Sequence, residues 1–146
     1  KLVTRIKLID PLEGHLAEGF IYEKLKDFNR AKLSYLKVFD FLNQNQDICS
    51  KSFLNYLKCN RRNLAYDLGK IAAEYSLSIK WGQCVLSFFL NTYKLNDTVP
   101  LAWVHYQIAR LSKIEGNEIK MKKNIEKALL FIDDYPILEN LLNKLL

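Results

Sequence analysis

Apolar residues recur every three or four positions along most of this chain, which is the spacing of one face of an α-helix. In the first such segment Asp10-Pro11 forms a helix start, and Leu12, Leu16 and Phe20 make one stripe. A second helix is expected from Phe28 to Leu42. Further helices are predicted over about 47–57, 62–75, 79–93, 101–114, 119–132 and 137–146. Strand-type alternation is essentially missing, so the pattern predicts an all-α fold.

Small and large residues in the first two helices have the spacing of a closely packed pair. Gly19 and Ala31 remove bulk where the two backbones would cross. Tyr22, Phe28 and Tyr35 are expected to fill the space beside that crossing. The segment therefore predicts a helical hairpin.

These residues resemble the tetratricopeptide repeat (TPR), a unit of 34 residues folded as two helices. Residues 12–45 match the repeat through the five residues just named. Residues 102–135 match it again, with Ala109 in the first helix and Ala128 in the second, although Met121 stands where a small residue is usual. Residues 47–97 match it only loosely.

The irregular middle of the chain has two alternative registers. Leu68-Gly69 looks like the first helix of a repeat, but Trp81 then stands where alanine is expected; moving the register to Ala73 loses the glycine. Either register leaves room for an extra helix around 47–58. The resemblance implies one helical-repeat domain over 1–146, stacked as a short right-handed superhelix and closed by a capping helix over 137–146.

The resemblance also implies a function, because stacked hairpins of this family bind proteins or peptides in a groove lined by the first helices. We therefore expect a protein or peptide ligand and a scaffold or adaptor role, in a narrower form the peptide-sensing part of a regulator. An alternative interpretation of Trp103 and Tyr106 is that both pack against the preceding hairpin. The groove candidates lie opposite the packing stripe of each first helix: Phe20, Glu23, Lys70, Glu74, Trp103, Tyr106, Arg110 and Lys113.

The distribution of charge gives a second hypothesis. The formal net charge is +6, and residues 48–96 hold seven basic side chains against two acidic ones. A solvated face explains this excess as well as a partner does. The alternative function is nucleic-acid binding, with Tyr56 or Trp81 stacking on a base. The phosphate contacts would come from a basic patch of Lys51, Lys58, Arg61 and Arg62.

Sequence motifs for catalysis are not found: there is no Gly-rich phosphate loop, nucleophile elbow or metal-type histidine spacing. We expect no enzyme activity, no cofactor and no metal site. Cys49, Cys59 and Cys84 are odd in number and form no CxxC pair, which favours a reduced, cytoplasmic setting. The most apolar run, residues 84–90, is too short to span a membrane. Because the chain begins at Lys1 rather than Met, we expect it to be part of a longer protein.

Overall fold

The computed structural model describes residues 10–131 and 136–146, and within these residues it contains eight helices and no strand. The all-α prediction is therefore confirmed. Residues 132–135, the end of the second repeat-like segment, lie outside the described residues. The helices are α1 (Pro11–Lys24), α2 (Phe28–Asn45), α3 (Lys51–Asn60), α4 (Arg62–Glu74), α5 (Ile79–Asn91), α6 (Leu101–Glu115), α7 (Glu118–Leu130) and α8 (Pro136–Leu145).

The chain divides into two compact units, residues 1–50 and residues 51–146. The first unit holds the hairpin α1/α2. In the second unit, α4 pairs with α5 and α6 pairs with α7. Helix α6 also packs against α4, α5 and α8, so it lies at the centre of this unit.

The first hairpin has the crossing that its sequence predicts. The Asp10 carboxylate caps α1 by accepting the backbone N–H of Glu13 at 3.2 Å. A Cβ placed on Gly19 would lie 2.2 Å from Cε1 of the fully buried Tyr35, so only glycine fits at this point. Phe28 does not fill the space beside the crossing as expected. It is the first residue of α2, beyond the crossing, and 55% of it is exposed.

The middle hairpin shows why its register was ambiguous. Gly69 of α4 faces Leu86 of α5, where a Cβ would lie 2.3 Å from Leu86 Cγ. The α4/α5 loop is one residue longer than the α1/α2 loop, four residues against three. The small residue opposite therefore moves from position 81 to Gly82, whose added Cβ would lie 2.8 Å from Ala72 Cβ. Trp81 is fully buried instead.

Each hairpin loop turns through one residue with positive φ. These residues are Lys26 (58°) in the first hairpin, Ser76 (51°) in the second and Gly116 (85°) in the third. Only Gly116 takes this conformation without a steric cost from Cβ. The three loops thus end the first helix of each hairpin with a residue of positive φ, although only one of them uses glycine, the residue type from which this conformation can be predicted.

The expected short helix around 47–58 starts later than its pattern indicates. Residues 47–50 form a turn in which the Ser50 N–H donates to the Asp47 carbonyl at 3.0 Å. Cys49 lies in this turn with φ +63°. Helix α3 therefore begins at Lys51 and continues to Asn60.

Candidate functional site

One set of predicted groove residues is brought together where α4 and α6 lie side by side. Arg110 Nη1 of α6 donates to Glu74 of α4 at 3.2 Å and to Gln107 Oε1 at 3.2 Å. Lys70 is exposed one turn before Glu74. Trp103 lies two turns before Arg110 and is half-buried, packed against a cluster that includes Tyr106 and residues of α8. We call Lys70, Glu74, Trp103 and Arg110 the α4–α6 surface.

Tyr106 and Lys113 are turned toward α8 rather than toward an open groove. Tyr106 is only 7% exposed, and it packs in a cluster that includes Leu138 and Leu142 of α8. Burial raises the pKa of its phenol above the ordinary value. Lys113 Nζ donates to the Leu145 carbonyl at 3.0 Å, at the end of α8. The prediction that Tyr106 lines a groove is wrong, because helix α8 covers it.

A polar contact below the α4–α6 surface was not predicted. Gln107 Nε2 donates to the Tyr66 hydroxyl at 3.3 Å, and both side chains are buried. Burial raises the pKa of Tyr66, against the smaller opposing effect of the Gln107 hydrogen bond. This buried contact joins α4 to α6, the first helices of the two hairpins in the second unit. It therefore holds Arg110 of α6 in position relative to Glu74 of α4.

The two groove candidates of the first unit form their own small cluster. Phe20 is 39% exposed, and its ring meets the Tyr35 ring edge-on with centroids 5.9 Å apart. Glu23 is half-buried and accepts a hydrogen bond from the Tyr35 hydroxyl. Both residues therefore support the ring that packs on Gly19.

In the basic patch, Arg62 has a structural role. Its side chain is only 15% exposed, forms an ion pair with Asp97 and lies 4.3 Å from the centroid of the Phe89 ring. Its guanidinium also donates to Thr92 Oγ1 at 3.0 Å and to the Phe89 carbonyl at 3.2 Å. A guanidinium engaged on all sides is not available to a phosphate. The prediction that Arg62 contacts phosphate is wrong for this reason.

The surroundings of the Asp97 carboxylate favour its charged form, as the ion pair with Arg62 requires. Burial alone would raise the pKa of Asp97, but hydrogen bonds from the Lys94 backbone N–H and from Arg62 together lower it below its ordinary value. The Lys94 N–H donates to Asp97 Oδ2 at 2.6 Å. The loop before α6 is thereby held against the start of α4.

A pocket of about 500 Å³ adjoins this ion pair. Lys58 and Lys94 are exposed on its wall, Arg61 is half-buried there, and Asp67 contributes an opposing charge. Arg61 precedes the first turn of α4, which receives no side-chain cap. We call this the basic pocket. It includes Lys94, which belongs to the basic segment of the sequence but was not predicted to lie beside Lys58 and Arg61, because it is more than 30 residues away from them along the chain.

The remaining residues of the nucleic-acid hypothesis are dispersed. Lys51 is exposed at the start of α3 but does not line the basic pocket. Trp81 is fully buried, so its predicted stacking on a base is wrong. Tyr56 is 37% exposed, with its ring stacked on Phe53 at 6.3 Å.

Among residues 10–131 and 136–146, no group of three or more His, Cys, Asp or Glu side chains is placed to hold a metal ion. No helix in these ranges combines the length and apolar content needed to cross a membrane. Cys59 is free and exposed.

Comparison with known proteins does not add a relative from which a function can be transferred. No protein-family model, curated protein or solved structure matches the chain.

Proposed function

We propose that this chain is a TPR-like helical-repeat domain that binds a segment of another protein or a peptide on its α4–α6 surface. The proposed role is that of a scaffold or adaptor rather than an enzyme. A free signalling peptide and a segment of a folded protein fit the proposal equally.

The observation that carries the proposal is the arrangement of Arg110. This guanidinium is 20% exposed, lies 5.3 Å from the centroid of the Tyr106 ring, and is oriented by Glu74 and Gln107. An arginine held in place before binding loses little side-chain entropy when a partner arrives. Trp103 lies two turns earlier on the same helix, with its ring edge-on to the Tyr106 ring and centroids 5.8 Å apart. Tryptophan with arginine is the composition of energetically dominant contacts at protein interfaces.

The packing of the hairpins supports the same function. The α4/α5 and α6/α7 hairpins follow one another, and their first helices lie in contact. In repeat proteins, neighbouring first helices form the surface on which an extended or helical peptide lies. Lys70 and Glu74, one turn apart on α4, would meet opposite charges on such a ligand.

The test is photo-crosslinking in a nuclease-treated native lysate. A photoreactive amino acid replaces Lys70 in one variant and Lys122, an exposed lysine of α7, in a matched control. We expect a discrete protein or peptide adduct at position 70 that is missing at position 122 and weakened by Arg110→Gln. Identical adducts at both positions would contradict the proposal.

The basic pocket favours a second candidate function, the binding of nucleic-acid phosphates. Lys58, Arg61 and Lys94 place three cations around a cavity large enough for a phosphate and part of a sugar. Because Arg62 stabilises the fold, it is not a suitable position for the test.

This candidate is tested with a fluorescent 12-nucleotide single-stranded RNA in an anisotropy titration. Lys58→Glu/Lys94→Glu should weaken binding by tenfold or more at low salt, and wild-type affinity should fall steeply as salt rises, roughly in proportion to the phosphates neutralised. Lys122→Glu/Lys144→Glu is the charge-matched control. Equal affinity of the two double variants would exclude the basic pocket as the binding site.

A further inference from the structure

A second groove lies on another part of the second unit. It has a volume of about 310 Å³ and runs between α5 and α7, with α6 beneath it. Leu90 of α5 provides its accessible apolar surface, and Ile108 (8% exposed) and the fully buried Leu111 of α6 lie beneath it. Gln83 and Ser87, on the same face of α5 as Leu90, provide a neutral polar wall.

The opposite wall of this groove is a row of lysines on α7. Lys120, Lys123 and Lys127 follow the spacing of one helix face, and together they span roughly 10 Å at the rise of an α-helix. Within the described part of the chain, none of the three forms an ion pair. Asn124 lies among them, with its amide hydrogen-bonded to His105 and to the Lys120 carbonyl. The row therefore presents an uncompensated positive charge beside an apolar floor.

This groove is distinct from the α4–α6 surface. Around the α6 axis, Ile108 lies roughly 140–160° from Trp103 and Arg110, and Leu111 lies roughly 80–100° from them. The two surfaces use different faces of the same helix. An inference about this groove therefore stands independently of the proposed function.

We propose that the groove between α5 and α7 binds an acidic, partly apolar segment of another protein. An apolar side chain of that segment lies on Leu90, above the buried Ile108 and Leu111, and its carboxylates pair with Lys120, Lys123 and Lys127. We call this site the lysine-rimmed groove.

Two physical terms favour this occupant over a plain anion. Three like charges on one helix face repel each other, and carboxylates placed along the row remove that repulsion. The floor gains only from a ligand that covers it with apolar side chains. A nucleic-acid backbone provides negative charge for the lysine row but no apolar side chains for the floor, so it would contact only one of the two parts of the groove favourably.

The experiment selects a displayed library of random 12-residue peptides on the purified full chain and repeats the selection on Lys123→Glu/Lys127→Glu. Both lysines are exposed, so the variant is expected to fold, and its circular-dichroism melt is recorded beside that of the wild type. Lys122→Glu/Lys144→Glu carries the same change of charge outside the groove. One enriched peptide is then titrated by fluorescence anisotropy, together with a copy in which every Asp and Glu is replaced by Asn and Gln.

We expect enriched peptides that combine Asp or Glu with apolar residues. The groove variant should bind the chosen peptide at least tenfold more weakly, the control within about threefold, and the neutral copy at least tenfold more weakly. Leu90→Gln should also weaken binding, because it removes part of the floor. The proposal is overturned by a library without acidic binders, by equal affinity of the two double variants, or by polyglutamate binding as tightly as the selected peptide. Equally strong, lysine-dependent binding of single-stranded RNA would overturn it in favour of a phosphate site.

Discussion

At the scale of single residues, glycine sets how closely the helices of two hairpins approach. Gly19 faces the Tyr35 ring and Gly69 faces Leu86, and in each case an added Cβ would overlap the neighbouring side chain. Gly82 adds a third close approach, to Ala72 and to Leu111. These glycines lower helix propensity in their own helices, but they allow large side chains to be buried opposite. Packing therefore decides the residue type at these positions.

The crossing of α1 and α2 gives the first prediction. Gly19→Leu should reduce the free energy of unfolding by about 1–3 kcal/mol, because the larger side chain forces Tyr35 out of place. Thermal and urea melts measure the effect, with the exposed Lys37→Ala as control. If the crossing is the cause, Tyr35→Leu combined with Gly19→Leu should cost less than the sum of the two single changes. Strict additivity would contradict this explanation.

A buried histidine gives a prediction about pH. Burial lowers the pKa of His105 below its ordinary value, despite the opposing hydrogen bond with Asn124. Below about pH 6.5 the unfolded chain binds this proton more readily than the folded chain does, so stability should fall as pH decreases through that range. Urea unfolding at pH 7.5 and pH 5.0 measures the loss. His105→Gln should reduce the pH dependence, and a full dependence in this variant would contradict the assignment.

At the scale of elements, loop length decides which residues meet across a hairpin. The partner of Gly19 lies sixteen positions later at Tyr35, and the partner of Gly69 lies seventeen positions later at Leu86. The single extra loop residue accounts for the difference. If the repeat spacing of the first hairpin is applied to the second without this extra residue, it places Trp81 at the helix crossing, whereas the residue found there is Gly82.

The contact between the start of α4 and the loop before α6 should be a main source of stability in the second unit. Arg62→Ala removes a largely buried ion pair and leaves the Asp97 carboxylate without its main cation, at an expected cost of about 3 kcal/mol. Arg30→Ala, in the exposed pair with Asp27, should cost less than about 1 kcal/mol. Chemical denaturation of both variants measures the difference. Similar losses for the two would refute the structural role of Arg62.

Helix α8 should stabilise the last hairpin. Leu138 and Leu142 are fully buried with Tyr106 and Met121, and Leu146 is 69% exposed at the end of the same segment. Leu142→Ala should cost about 2–4 kcal/mol through lost burial and a new cavity, while Leu146→Ala should stay within about 0.5 kcal/mol of wild type. Differential scanning calorimetry tests this. Equal melting temperatures for the two variants would show that α8 is not part of the core.

At the scale of the whole molecule, the positive charge is concentrated on particular surfaces. Residues 48–96 carry most of the +6 net charge, and the basic pocket lies in this part of the chain. The lysine row of α7 comes from a segment whose charges balance overall: residues 97–146 hold seven basic and seven acidic side chains. A segment average therefore hides a local row of one sign, because helix geometry sorts charges by face.

The division into two units gives a prediction of its own. The described residues of the range 51–146 form six helices and the core around α6. This fragment should therefore retain helical circular dichroism and a cooperative melt without residues 1–50. The wild-type chain and the fragment with Leu142→Ala are the comparisons. A broad, non-cooperative melt of the intact fragment would mean that residues 51–146 do not form a folding unit.

The sequence by itself determined the all-helical class, most helix positions and the Gly19 crossing, because each follows from periodicity and residue size within one hairpin. Only the tertiary structure decided which polar and aromatic side chains remain accessible. Arg62 is engaged with Asp97, 35 residues away, and Gln107 with Tyr66, 41 residues away. Such pairings depend on how separate hairpins pack, whereas helical periodicity extends over only a few residues. The helical fold class could therefore be predicted from the sequence, whereas the candidate binding surfaces could be identified only from the packing of the helices.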